Sequence, residues 1–268
     1  MNIEPKQRSI YTNLSILIAR GAIVFAFLYL AYLFYDAAIG GIFDRNTAIV
    51  SFVLLWLFTA YVFLPRVHRF LTRLYLPDYY IGRTKTPDGL LADPVNIALC
   101  GSRQDIISAM EADGWVKADR LNLSSGARML RAGLTRQSYP NAPVSTMLLF
   151  DRPQDFTFQK EVDGSVHARH HVRFWRTPKE WMLPGGYQAD WLAAATYDRS
   201  VGLSLFTGQI THKIDEDTDQ ERDFVVKSFK RGGAKLEIKR DFNTAYRHRN
   251  GGGDSIKTDG AMPFIYLD

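Results

Sequence analysis

At 268 residues, with 46% hydrophobic and 23% charged side chains, the chain is long enough for one sizeable domain plus an appendage, and its composition excludes a disordered or fibrous protein. The formal net charge of +5 is modest and its basic residues are scattered as well as clustered, so no nucleic acid is expected as a partner, and a membrane surface is the expected acidic one. The single cysteine, Cys100, excludes an intrachain disulfide framework and, inside the apolar run 96–100, reads as a small buried hydrophobe.

Apolar residues concentrate before Pro65 and polar ones after it. Residues 14–35 have the length and apolarity of a first membrane span, in which Arg20 can snorkel to the headgroups. Residues 47–64 form a second, uncharged run closed by Pro65 and Arg66. Lys6 and Arg8 precede the first span and Arg66, Arg69 and Arg73 follow the second, while the loop between them holds Asp36, Asp44 and Arg45. The positive-inside rule then places both termini of a multi-pass protein in the cytoplasm. A signal peptide is the competing reading of the first run, but the run is too long and lacks a small-residue cleavage site. Over 66–76, Val67, Phe70, Leu71 and Leu74 fall at helical spacing among arginines, the pattern of a cationic interfacial helix; the alternative is that this apolar face packs on the soluble domain. Residues 1–76 thus read as a membrane anchor in a phospholipid bilayer.

The soluble part, 77–268, opens with a Gly-, Pro- and Asp-rich stretch to Pro94 that reads as a loop. VNIALCG from Val95 reads as a buried strand. Ser102 with Asp105 three residues on is a capping box for a helix to about Asp113, stopped by Gly114. Ala127–Leu134 suits a short helix and Tyr139–Pro143 a turn. Strands follow at 144–151, 155–162, 165–177, 190–201 and 202–214, with short connections that favour antiparallel pairing. A last helix begins at Asp219 and stops at Gly232-Gly233, and the chain ends in the strand-like PFIYL. The expected class is α+β: two N-terminal transmembrane helices, then a soluble domain with a mainly antiparallel sheet and a few flanking helices.

The stretches DGLLADPVNIALCGS, YPNAPVSTMLLFDRPQDFTFQK, RHHVRFW, AATYDRSVGLS, THKIDEDTDQERD and NGGGDSIKTDG together resemble the LssY-like C-terminal domain family of bacterial membrane proteins, over residues 78–268. The resemblance implies attachment to the bacterial inner membrane. Because such domains also occur beside DedA-like and phosphatidic-acid-phosphatase-like membrane modules, it further implies work on phospholipid or isoprenoid phosphates. It carries no catalytic residues with it. The two apolar runs lack the acidic, histidine and arginine residues of a membrane phosphatase core, so chemistry on a phosphorylated lipid would rest on the soluble domain.

The densest chemistry is RHHVRFW. Strand alternation puts His167, Arg169, His171, Arg173 and Trp175 on one face, read as a site, and Ala168, His170, Val172 and Phe174 on the other, read as core. Arg169, His171 and Arg173 then repeat at about 7 Å. Two arginines flanking an imidazole suit a phosphate, with His171 as proton donor; they would repel a divalent cation from His171. The competing reading is an ion-pair ladder to carboxylates of neighbouring strands. His170 reads as a hydrogen-bonded core histidine. His212, Asp215, Asp217, Asp219 and Glu221 form the best metal-like cluster, with His212 and Asp215 the candidate ligands of a divalent metal. It is not a calcium loop, since Gln220 and Val226 stand where glycine and glutamate are required, and a helix cap at Asp219 explains half of it. His171, Asp198 and His212 on neighbouring strands are a second candidate metal set. Gly252, among three glycines, and Asp254 are candidate ligand-binding groups; no P-loop lysine and serine follow, and a hairpin turn is the simpler explanation.

Three functions are compatible with these residues. The expected one is a cytoplasm-facing module that binds a phosphate-bearing lipid headgroup or another anion through Arg169, His171 and Arg173. The alternative is a hydrolase of a phosphorylated membrane substrate, with His171 or His212 as acid or base and Asp198 or Asp215 completing a metal or proton-transfer site. The third is a structural, partner-binding module.

Overall fold

The computed structural model of the protein describes residues 21–22, 24–33, 35–36, 45–68, 82–119, 125, 128, 139–162, 168–205, 208, 210–240, 242 and 247–267. The chain folds as two units, one built on residues up to Phe70 and the other on residues from Leu71.

The first unit is helical. An apolar helix α1 (Val24–Leu33) precedes α2 (Arg45–Phe58), which runs on through a π turn at Thr59–Phe63. The 20-residue helix Ile49–His68 contains an 18-residue stretch with a mean hydropathy of 1.8, and among the described residues this is the one helix long and apolar enough to cross a membrane. Val50, Phe52, Leu54 and Leu57 of α2 point outward, while Phe27 stacks on Phe63 at 4.2 Å. Of the expected first span, the part before residue 21 lies outside the described residues, and the expected interfacial helix is described only as far as His68.

The second unit is α+β. The stretch to Pro94, expected to be a loop, contains a hairpin: β1 (Arg83–Lys85) and β2 (Leu91–Pro94) pair antiparallel around Thr86-Pro87-Asp88-Gly89, where the Thr86 carbonyl accepts from the Gly89 amide at 2.9 Å. β3 (Ile97–Cys100) leads into α3 (Arg103–Ala112), whose capping box forms as expected: the Ser102 hydroxyl accepts from the Asp105 amide, and the Asp105 carboxylate accepts from the Ser102 amide. Ser102→Ala is expected to lower stability by about 1 kcal/mol in a denaturant titration. The helix expected over 127–134 lies, but for Arg128, outside the described residues.

Next come β4 (Val116–Lys117), β5 (Leu148–Leu149), β6 (Arg152–Pro153), β7 (Phe156–Glu161), β8 (Arg169–Arg176), β9 (Trp191–Leu203) and β10 (Ile210–Ile214). The last helix, α4 (Thr218–Arg231), is capped by Asp217 rather than Asp219, because the Asp217 carboxylate accepts from the Asp219 and Gln220 amides. After it come β11 (Lys235–Lys239), β12 (Arg247–Arg249), β13 (Ser255–Lys257) and β14 (Met262–Tyr266).

The main sheet runs β11-β14-β3-β9-β8-β7-β4, with β10 also paired to β9; every pairing is antiparallel except β14 with β3. A small sheet runs β2-β1-β5-β6. One face of the main sheet is apolar: Ile97, Phe158, Val172, Phe174, Ala193 and Ala195 pack with Ile106 and Met110 of α3 and Val225 and Phe229 of α4. The opposite face divides. Ala98, Trp175, Leu192, Ala194 and Phe264 make a second apolar core, while further along β7, β8 and β9 the same face turns polar and stays buried.

Candidate functional site

The polar half of that face is fixed by register. Across β7 and β8, Thr157 stands opposite Arg173, Gln159 opposite His171 and Glu161 opposite Arg169; across β8 and β9, Arg173 stands opposite Ala194, His171 opposite Thr196 and Arg169 opposite Asp198. Period-two alternation brings all these side chains to one side. The expected site face of β8 is thus not open to solvent, for Arg169, His171, Arg173 and Asp198 are each only 4% exposed. The segment before β5 closes over part of it: Gln159 Nε2 donates to the Pro140 and Ala142 carbonyls at 2.6 and 2.8 Å.

The two arginines differ. Arg173 donates through Nη1 to Asp93 Oδ2 at 2.9 Å, through Nη2 to Ser145 Oγ at 3.1 Å and through Nε to the Ser145 carbonyl at 3.3 Å, so every guanidinium nitrogen is engaged. Arg169 pairs through Nη2 with Glu161 at 3.0 Å and donates through Nη1 to Gln159 Oε1 at 3.3 Å, while its buried Nε has no hydrogen-bond partner among the described residues. Glu161 and Asp93 were not among the residues singled out. The Pro-Asp-Gly turn between two short strands was the signal that could have placed Asp93 on a hairpin.

Asp198 is where the expected groups converge. Its Oδ2 lies 3.4 Å from His171 Nδ1 and 3.3 Å from His212 Nδ1. A register shift between Lys213 and Ile214 sets Ile214 opposite Asp198 and lets His212, two residues earlier, turn to the same carboxylate. The His212 side chain is 46% exposed, against 5% for His171 and 6% for Asp198, so the three lead from the interior to the surface. Burial pushes the Asp198 carboxyl up to about 8, with Asp93 and Glu221 adding to the rise against Arg173 and Arg169. Burial, and after it Arg173, His212 and Arg169, hold His171 well below the ordinary 6.5. Near neutral pH the pair is therefore a protonated carboxyl beside a neutral imidazole. Neither ring nitrogen of His171, nor Thr196 Oγ1, has a hydrogen-bond partner among the described residues.

On the other face, His170 is the hydrogen-bonded core histidine expected, with Nδ1 2.6 Å from Glu221 Oε2 and its ring stacked on Phe224 at 4.1 Å. One oxygen of Asp215 accepts from the Asp217 amide at 3.0 Å, on the turn into α4. Among the described residues no group of three His, Cys, Asp or Glu side chains is arranged to hold a metal ion. His167 lies outside the described residues.

The glycine loop is a turn. Asn250 Oδ1 accepts from the Gly252 and Asp254 amides at 2.9 Å each, and the Asn250 carbonyl accepts from Gly253, so these amides are not turned to a ligand. Asp254 instead pairs with Lys213 at 3.2 Å and accepts from the Ile214 amide at 3.3 Å, tying the loop to β10. Only glycine suits position 253, where φ is +86° and a Cβ would lie 2.6 Å from that of Leu205.

Residues 73–262 match the family model described as the LssY C-terminus. The chain belongs to the LssY C-terminus family. No curated protein and no solved structure matches it. The LssY C-terminus match takes in the whole polar layer from Asp93 to Asp254, and the apolar helix Ile49–His68 precedes it.

Proposed function

We propose that this LssY C-terminus domain is a membrane-held acid–base site that hydrolyses a phosphate-bearing lipid, with His171 and Asp198 as the proton-transfer pair and His212 as their outlet to solvent. The observation that carries the reading is one carboxyl oxygen within 3.4 Å of two imidazole nitrogens, one buried and one exposed. It is favoured over the anion-binding module through Arg169, His171 and Arg173 because Arg173 is fully engaged by Asp93 and Ser145. In the hydrolysis, His171 takes a proton from water as its oxygen bonds to phosphorus. The ester P–O bond breaks, and the departing alkoxide takes the proton of Asp198. His171 then returns its proton to Asp198, so the cycle closes with no net proton change in the protein. The phosphorylated lipid as substrate rests on the company that related domains keep.

The bilayer enters through the N-terminal helices. The reading takes α2 as one span and α1 as part of another, with both termini cytoplasmic in the bacterial inner membrane; the basic residues outside the two apolar runs support that orientation.

The test is phosphate release from phosphatidic acid and from an isoprenyl diphosphate in mixed micelles, using the full-length protein purified in detergent without chelator. His171→Gln is expected to lower kcat by about a hundredfold or more with KM little changed. Absence of release from either substrate, or unchanged kcat in the variant, would overturn the reading. Metal analysis of the same preparation checks the mechanism, because one equivalent of divalent metal lost in His212→Ala would replace proton transfer by a metal centre.

A further inference from the structure

The polar layer contains more than the histidine–carboxyl pair. Four side chains form two facing rows on one side of the sheet: Arg169 and His171 on β8, and opposite them Asp198 and Thr196 on β9. Opposite residues of an antiparallel pair stand about 5 Å apart and alternate residues about 7 Å, so the four corners enclose a small patch of sheet. Arg169 Nε, both ring nitrogens of His171 and Thr196 Oγ1 are buried and without a hydrogen-bond partner among the described residues. Thr196 is 1% exposed, and nothing in the sequence singled it out. Buried polar atoms are costly unless something satisfies them, and here the unmet capacity is gathered on one side of two adjacent strands.

We propose that Arg169, His171, Asp198 and Thr196 form a seat for a phosphoryl oxygen, in which the Thr196 hydroxyl and Arg169 Nε donate to the phosphate of the substrate. This deepens the acid–base reading and rests on it. The donor set fixes the chemical class. An arginine Nε carries a hydrogen and can only donate, a threonine hydroxyl can donate, and both suit an oxyanion rather than a cation. Glu161 already balances the charge of Arg169 at 3.0 Å, so the seat favours a singly charged phosphate over a dianion. Arg173 takes no part.

The experiment measures binding of inorganic phosphate to the full-length protein in detergent by titration calorimetry, at mildly acidic pH where the monoanion dominates. Wild type is expected to bind. Thr196→Val, which keeps the shape and removes the hydroxyl, is expected to weaken binding about tenfold, the order for one hydrogen bond to a charged group. Thr196→Ser, which keeps the hydroxyl, is expected to bind like wild type. If Thr196→Val does not fold, Thr196→Ala against Thr196→Ser makes the same comparison. Wild type that binds no phosphate, or a hydroxyl-free variant that binds as tightly as Thr196→Ser, would overturn the seat. Either result alongside His171-dependent phosphate release would leave the acid–base reading standing, so the two fail separately.

Discussion

Replacing Arg173 with Met is expected to destabilise the soluble domain by about 3 kcal/mol, because it strands the buried carboxyl of Asp93 without its partner. Arg173 and Asp93 are each about 5% exposed in their side chains, and the pair joins β8 of the main sheet to β2 of the small hairpin. Burial pushes the Asp93 carboxyl up, and the largest opposing influence is Arg173, followed by Arg83. With Arg173 gone, Asp93 takes up a proton, which holds the loss to the lower end of what breaking a buried pair costs. Ser145 loses the guanidinium donors to its hydroxyl and its carbonyl as well, the carbonyl keeping Gln154 Nε2 at 3.3 Å. The companion variant decides the cause: Arg173→Met with Asp93→Leu is expected to recover most of the loss, since two apolar groups carry no desolvation debt. Urea titration of the full-length protein in detergent, read by tryptophan fluorescence with the buried Trp175 as reporter, makes the measurement. A single variant within about 1 kcal/mol of wild type would mean that the pair does not hold the hairpin to the sheet.

Sequence pattern reached some of this architecture and stopped short of the rest for physical reasons. The α3 capping box is written in Ser102 and Asp105, and the two faces of β8 follow from alternation, so both are local facts about the chain. The short connection between β7 and β8 favours the antiparallel pairing they make, whereas β8 and β9 pair antiparallel across the longer stretch 177–190. The parallel contact of β14 with β3 joins segments far apart in the chain, and no local signal specifies it. What covers a strand face is also not encoded in that strand. The polar face of β8 reads as a site from its charged residues, yet it is closed, with Asp93 paired to Arg173 and Gln159 holding the segment before β5. Asp198 and His212 were named with His171 as one candidate set on neighbouring strands, but the register shift in β10 that sets them at one carboxylate has no local signal in the chain. The glycines of 251–253 resembled a phosphate cradle, but Asn250 takes up the amides such a cradle would need.

Stability is expected to fall as pH rises from about 6.5 to about 8, and Asp198 is the cause. Its carboxyl is raised from the ordinary 3.8 to about 8. The folded chain therefore binds this proton where the unfolded chain has lost it; the resulting stability is fully present below 3.8 and is lost as pH rises through about 8. His171 works in the opposite sense. Its folded value lies well below 6.5, so the unfolded chain takes up a proton there first, and this contribution to stability disappears as pH falls below 6.5. Just below 6.5 the two slopes oppose each other; above 6.5 the Asp198 slope stands without that opposition, at about 1.4 kcal/mol per pH unit, or about 2 kcal/mol across the window. Asp93 and Glu221 are also raised by burial, so the variant comparison is needed to isolate one group. Asp198→Asn mimics the shape of the protonated acid but cannot titrate, and its stability is expected to be flatter over the window by about 2 kcal/mol than that of wild type. Urea midpoints measured at closely spaced pH values for both proteins give the difference directly. Parallel curves would mean that Asp198 is ionised well below neutrality, and the proton-transfer role assigned to it would fall with that result.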